Sequence, residues 1–387
     1  MDNRKISFDC RFFKGDRPCK WHKEEGEICP CRHYGPVAER ILIIKLDAMG
    51  DVLRTTCILP GIKRRWPDSF ISWITRPESV DLLEKNPFID EILPYGPDSL
   101  VHLGCRTFDV VVNLDAGKIS SGMASMAGSG EKIGYVLDPK GFVTATNQEA
   151  DQWLRMGVFD DLKKSNQRTY QEIMGSILGL PRDELRYVME LTDAEKEAGR
   201  KSLEEIGVDV SRKILAIHAG AGGRWPLKRW RIEGFRDLIR EVQDRSDSSV
   251  QICLLGGPGE AEINREILRG LKGPVFDSGC HNPVRKLASI IRCCSVVLSG
   301  DSLPMHIALA MGTRVVVLFG PTSFAEVELF EMGEKVYPDL DCLVCYRNEC
   351  SVSPNCMESI SLPMVKSAVF RQLDRSGKTE TSKGENR

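Results

Sequence analysis

Residues 299–322 read SGDSLPMHIALAMGTRVVVLFGPT. A β-branched run ends on Gly300, Asp301 and Ser302, a helix begins near Pro304, and a second β-branched run closes on Gly320-Pro321. Proline suits the first turn of a helix because its missing N–H would find no partner there. Strand, helix and strand in this order make parallel strands joined by a crossover. The same alternation extends outward in both directions. Upstream lie KILAIHAG (213–220), VQICLLGG (250–257) and SVVLSGD (295–301), and RVVVLFGPT (314–322) follows. Each ends in a glycine-containing turn. An earlier series comprises ILIIKL (41–46), FISWIT (70–75), FDVVVNL (108–114) and a weaker segment over 132–136, with a polar helical stretch over 148–212 connecting the two. The pattern predicts two doubly wound α/β domains facing one another, with ligands at the carboxyl ends of the strands.

Composition agrees with this. The 387 residues are 42% hydrophobic and 28% charged, with 53 basic against 55 acidic side chains and a net charge of −2. That length holds two domains, and the even balance gives no footprint for nucleic acid. No apolar run approaches the roughly 18 residues needed to span a bilayer. The start, MDNRKISFDCRFF, has no signal-peptide core, so a cytoplasmic protein is expected. The unusual count is 14 cysteines. A reducing compartment turns attention from disulfides to metals. Cys342, Cys345, Cys350 and Cys356 are spaced C-x2-C-x4-C-x5-C and can surround one tetrahedral ion. Cys10, Cys19, Cys29 and Cys31 form a looser set, with His22 and His33 as further candidate ligands. Structural zinc is the favoured ion, and an iron–sulfur cluster the alternative. The other six, Cys57, Cys105, Cys253, Cys280, Cys293 and Cys294, read as small buried hydrophobes.

Three further loops carry chemistry. In KLDAMGDVLRTTCILPGIKRRWP (45–67), Gly50 makes a tight turn and Asp51 starts a helix at a strand end. Asp51 is a candidate base or, equally, a carboxylate serving free helix N–H groups, and Asp47 competes for the role. No G-x-G-x-x-G fingerprint follows the strand, which removes the usual support for dinucleotide chemistry. In HAGAGGRWPLKRW (218–230), Gly220 and its neighbours with Arg224, Lys228 and Arg229 can cradle an anion, or Lys228-Arg229-Trp230 can be a solvated helix start over a packed aromatic. In GGPGEAE (256–262), Gly257 precedes Glu260, which can hold a ribose hydroxyl or favour the helix dipole. In the opening stretch, Asp301 and Ser302 suit a phosphate or sugar hydroxyl beside free helix N–H groups. His306 is a ligand contact or a satisfied core histidine, and Met305 and Met311 read as core.

From about residue 40 to about residue 360, these four motifs in order resemble glycosyltransferase family 9, the ADP-heptose:lipopolysaccharide heptosyltransferases. The resemblance implies a GT-B fold: two Rossmann-like domains across a cleft, here with a Cys-rich extension over 1–39. The acceptor side would be 40–182, the nucleotide-sugar side 183–357 with the Cys-rich loop 342–356, a helix over 358–375 would cross back, and 376–387 would be a disordered tail. It implies Asp51 as the general base, Lys228 as the cation that neutralises the leaving diphosphate, and Asp301 and His306 at the donor's sugar and phosphate. The transfer would need no cofactor. Ser302-Leu303-Pro304 replaces the family's Thr-Gly-Pro or Thr-Gly-Leu, so Leu303 adds bulk where glycine lets backbone approach phosphate. A glycan or lipid-linked acceptor would bring the protein to the inner face of the membrane, and Lys63-Arg64-Arg65-Trp66 is a candidate patch, or a set of cations complementing a helix end. Two other classes fit the same domains: a nucleotide-sugar 2-epimerase, and a metal or redox module with a vestigial cleft.

Overall fold

The computed structural model describes residues 5–222, 226–245 and 249–377, the side chain of residue 184 aside. The chain forms two compact units, residues 1–155 with 171–188, and residues 156–170 with 189–387. The first is built on β1 (Arg40–Ile44), β2 (Phe70–Thr75), β3 (Glu91–Pro94), β4 (Thr107–Asn113), β5 (Gly128–Leu137) and β6 (Val143–Ala145). These lie in the order β3-β2-β1-β4-β5-β6. Every pairing is parallel except β5 with β6. The second unit has β7 (Lys213–His218), β8 (Val250–Leu255), β9 (Phe276–Asp277), β10 (Val296–Gly300), β11 (Arg314–Leu318) and β12 (Gly333–Val336). Their order is β12-β11-β10-β7-β8-β9, all parallel.

The central strands are apolar without alternation because helices cover both faces of a parallel sheet. Ile41 to Ile44 on β1 and Val296 to Leu298 on β10 are wholly buried. Each apolar run expected from the sequence is a strand; β7, β8 and β11 stop before the glycine turns read with them, and β10 runs on to Gly300. The sequence reading passed over β3, β6, β9 and β12, which are short edge or near-edge strands with few β-branched residues.

Residues 5–38 belong to the first unit. The segment is closed on itself by the Cys10–Pro36 bridge and by Val37 N–H donating to Asp9 O at 2.8 Å, and it meets the rest of the unit where Ala38 N–H donates to Asp68 O at 3.2 Å and the Arg11 guanidinium lies 3.7 Å from Asp90. The helix Leu362–Arg375, within the span 358–375 read as the helix crossing back, packs in the second unit's core through Val365, Ala368, Val369 and Leu373. That apolar stripe, repeating every three to four residues, matches the faces of β10, β11 and β12 against which it packs. Of the tail expected to be disordered, Ser376 and Gly377 are described and 378–387 lie outside the described residues. Four of the six cysteines read as core, Cys57, Cys253, Cys280 and Cys294, are buried, and Cys293 is half-buried. Cys105 is exposed: it ends the helix Pro97–Cys105, off the side that buries Ser99 and Leu103. Among the described residues no helix is long and apolar enough to cross a membrane.

Within the second unit a fork-shaped ion pair ties the helix Asp193–Glu205 to the helix Val284–Arg292. Arg285 Nε donates to one Glu195 oxygen at 2.5 Å and Nη2 to the other at 2.8 Å. This bonding holds the Glu195 carboxyl far below its ordinary 4.5, at about 2. The folded state therefore binds this proton less readily than the unfolded chain, and the stabilisation is full above pH 4.5 and lost as pH falls through about 2. Denaturant unfolding between pH 5 and pH 2 should show a loss of about 1–2 kcal/mol that Glu195→Gln removes, after allowance for solvent screening.

Candidate active site

In the first unit the chain runs from β1 outward through β2 and β3, then returns to β4 on β1's other side. The carboxyl ends of β1 and β4 thus flank a switch point, where open α/β sheets bind ligands. Lys45 follows β1 and Asp115 follows β4, and both side chains are 2% exposed. The Lys45 ammonium contacts Asp115 and lies 3.2 Å from Asp47. The other Asp115 oxygen accepts the backbone N–H groups of Leu46 and Asp47. Burial pushes the Asp115 carboxyl up, to about 7, against the pull of Lys45. At Asp47 burial also raises the value, but Lys45 and Asp115 outweigh it and the net is a lowering.

Asp51 lies in the first turn of the helix Met49–Thr55, after Gly50 and behind the N-cap position, which is Ala48. Its Oδ1 accepts from Arg54 at 2.6 Å, and its side chain is 28% exposed. It is thus a first-turn carboxylate with access to solvent at the strand end, and no side-chain cap bond is formed at Ala48.

The second unit repeats the plan, with β7 and β10 flanking the switch point. Lys228, closing the short turn Pro226–Lys228, donates to Asp301 Oδ2 at 2.8 Å and to Asp301 O at 3.2 Å. Thr322, just beyond β11, donates to the same Asp301 oxygen at 3.0 Å. Ser302 is the N-cap residue of the helix Leu303–Ala310, and His306 is buried on that helix beside the wholly buried Met305. Glu260 folds back to accept the Gly257 N–H at 2.8 Å. Its carboxyl fills the space beside Gly220, where a Cβ would lie 2.2 Å from Glu260 Oε1. His218, the last residue of β7, sets its Nε2 3.9 Å from Glu260 Oε2. The nearby His218 ring and the hydrogen bond from Gly257 N–H hold Glu260 below the usual carboxylate range, against its burial.

The structure thus gathers Gly220, Gly257, Glu260, Lys228, Asp301, Ser302 and His306 on one unit. Arg224 lies outside the described residues. Trp230 is the packed aromatic of the alternative reading, with its Nε1 donating to Ile360 O at 2.9 Å. Lys45, Asp115, His218, Ser299 and Thr322 were not singled out from sequence. Lys45, His218 and Ser299 share a signal: a polar residue at or next to the carboxyl end of a buried strand.

Two cations of the candidate patch, Lys63 and Arg65, are engaged within their own unit. Lys63 donates to Ser69 O at 2.6 Å, and Arg65 donates to Leu178 O at 3.0 Å while stacking on Trp66. The cysteine sets differ from one another. Among the described residues, the group whose ligand atoms all lie within 4.8 Å of one another is Glu25, Glu27 and His33, without any cysteine. Arg32 pairs with both of those carboxylates. The His22 ring is turned to Glu27 O at 2.8 Å, so both histidines face glutamates instead of thiols. In the C-terminal loop, Cys345 stands between Val344 and Tyr346, both in left-handed turn conformation. Burial pushes the Cys356 thiol up to about 11, with Cys345, Cys350 and Cys342 adding to the rise; among the described residues neither cysteine set brings three thiols within 4.8 Å of one another.

Residues 101–354 match glycosyltransferase family 9 (heptosyltransferase). The chain belongs to that family. It is a glycosyltransferase. Among curated relatives, the lipopolysaccharide core heptosyltransferase OpsX of Haemophilus influenzae is 24% identical over 72% of this chain and 78% of its own. A family 9 glycosyltransferase from Veillonella parvula has the same fold, with a TM-score of 0.72 at 18% identity over 88% of this chain and 98% of that one. The ADP-heptose lipopolysaccharide heptosyltransferase II of E. coli follows with a TM-score of 0.65 at 18% identity, covering 87% and 99%. The two parallel sheets described above are those of this glycosyltransferase fold.

The buried charges at the first switch point make one prediction. Lys45→Met leaves Asp115 buried without its cation, at a cost of about 3–5 kcal/mol. Denaturant unfolding of the variant against the wild-type glycosyltransferase measures it.

Proposed function

We propose that this glycosyltransferase moves a heptose-like sugar, with ADP-heptose the favoured donor, to a lipopolysaccharide core or another surface-glycan hydroxyl. The transfer is inverting and uses no metal at the chemical step. The observation that carries this reading is the second unit's switch point. Lys228, Asp301 and Thr322 form one hydrogen-bonded group there, beside the opening N–H groups of the helix Leu303–Ala310. A departing diphosphate develops negative charge, and a lysine with helix N–H groups supplies the field that stabilises it. Asp301 and His306 then face the donor's sugar and phosphates, Ser302 offers a hydroxyl, and Glu260 with Gly220 and Gly257 borders the nucleoside.

On the acceptor side Asp51 is the base. Its carboxylate accepts the acceptor hydroxyl's proton as that oxygen bonds to the sugar's anomeric carbon and the bond to the diphosphate breaks. Arg54, 2.6 Å away, orients the carboxylate. The work is cytoplasmic, with a lipid-linked acceptor met at the inner face of the membrane.

Asp51→Asn should lower kcat by about 10²–10⁴-fold while leaving donor affinity intact, as expected for loss of a general base. Full turnover by the variant would overturn the assignment. A panel of ADP-, GDP- and UDP-sugars tests the donor class: the right one at about 100 times its Kd adds about 2.7 kcal/mol of stability.

We further assign a structural zinc ion to Cys342, Cys345, Cys350 and Cys356. Four thiols in one turn-rich loop suit a closed tetrahedral site, and the ion would brace the loop without entering the reaction. Elemental analysis of anaerobically purified protein should give one zinc per chain, lost in Cys345→Ser. Iron with a visible absorption band would replace zinc by a cluster, and the absence of both would remove the site.

A further inference from the structure

His218 has no part in the transfer as derived above. It closes β7 in the run KILAIH, whose apolar members are core, and it is 5% exposed. A buried imidazole is costly unless its polar edges are met. Here both edges face polar groups. Nδ1 lies 3.4 Å from Ser299 Oγ and 3.4 Å from Ser302 Oγ, and the two hydroxyls are 2.9 Å apart. On the other edge, Nε2 lies 3.9 Å from the Glu260 carboxylate, which Gly257 N–H anchors in turn.

The unusual member of this row is Ser302. Serine at an N-cap ordinarily turns its oxygen back to a free N–H of its own helix. Ser302 makes no such bond, although it is the N-cap of the helix Leu303–Ala310. Its hydroxyl is held instead by Ser299 and His218. Pro304 carries no N–H and Met305 N–H donates to Ser302 O at 3.1 Å, so the backbone already meets the N–H that a serine cap would take. The Ser302 hydroxyl is left to the His218 and Ser299 side, fixed in direction before any ligand arrives.

We propose that His218, beside Glu260, is a positioning residue for the donor's diphosphate: together with Ser299 it holds the Ser302 hydroxyl in the direction in which that hydroxyl meets the diphosphate. The ligand class rests on the glycosyl-transfer reading; the holding of Ser302 by His218 does not.

The test uses the full chain and ADP as the probe, with titration calorimetry for Kd and steady-state kinetics for KM and kcat. His218→Ala and Ser302→Ala should each weaken ADP binding and raise the donor KM about tenfold, the scale of one lost hydrogen bond to a charged group. The acceptor KM should not change. Because His218 acts through Ser302, the double variant should be no weaker than the worse single one, and His218→Asn, whose amide can replace Nδ1–H, should recover part of the affinity. Additive losses overturn the proposal. So does a His218→Ala protein that melts earlier yet binds ADP as wild type does, since that is a purely structural histidine. Ser302→Ala, at the crevice rather than in the core, keeps the test open if His218→Ala fails to fold: unchanged ADP affinity in it overturns the proposal as well. Should wild-type protein bind none of ADP, GDP and UDP, the donor reading itself falls, and the proposal with it.

Discussion

A parallel strand covered by helices on both faces has little place for a polar side chain except at its ends, where the backbone leaves the layer. Most of what can act in this protein follows from that restriction. β1 is apolar through Ile44 and yields at once to Lys45, and β4 ends on Asn113 with Asp115 two residues on. β7 ends on His218, and β10 carries Ser299 next to its final glycine. In both sheets the first strand and the fourth-formed strand are neighbours, so these residues meet in pairs at the two switch points. The sheet thus delivers polar groups to one edge as a condition of its own burial, and the glycine turns beyond them supply the room.

Groups delivered in this way cannot stay uncompensated. Lys45 finds Asp115 and Asp47, and Lys228 finds Asp301. The two lysines differ in what they can do next. Lys45 is 2% exposed and its partner is bonded to two backbone N–H groups, so it serves the turn that leads to Asp51. Lys228 is 11% exposed at the edge of the second crevice, against a carboxylate that Thr322 also supports. On the reading proposed above, an incoming diphosphate would share that ammonium without leaving Asp301 unbonded. The same pairing rule therefore produces a sealed ion pair on one unit and a partly exposed one on the other.

The strands that build the sheets were legible because unbroken Ile, Val and Leu runs leave few alternatives. The four missed strands show where that signal stops: β12 is GEKV and β9 is two residues long, so neighbours, not composition, decide their pairing. Candidate groups stood out in the sequence where they followed a strand end or a glycine turn, as with Asp51, Lys228 and Asp301. They were hidden where a polar residue closed an apolar run, because a single histidine in KILAIH reads as core until its neighbours are known. The cysteines divide on similar lines. Spacing alone suggested two metal sites, yet a ligand set needs convergence as well as count, and in the N-terminal segment Arg32, Glu25 and Glu27 occupy the two histidines and one another.

The C-terminal cysteines stand in a different relation to the chemistry. Their loop is laid against the turn that follows β11: Tyr346 N–H donates to Pro321 O at 2.8 Å, and the Ser323 N–H donates to the Tyr346 hydroxyl oxygen at 3.2 Å. Cys356 is close enough to Gly320 that a Cβ there would meet its Sγ at 2.7 Å. Between Pro321 and Ser323 lies Thr322, the residue that holds Asp301 for Lys228. A short loop with two left-handed non-glycine residues has little intrinsic reason to keep this shape, and an ion among its thiols would supply one. The loop is thus one hydrogen bond removed from the turn that carries Thr322. An ordered loop there fixes Thr322, whose hydroxyl donates to the same Asp301 oxygen that accepts from the Lys228 ammonium.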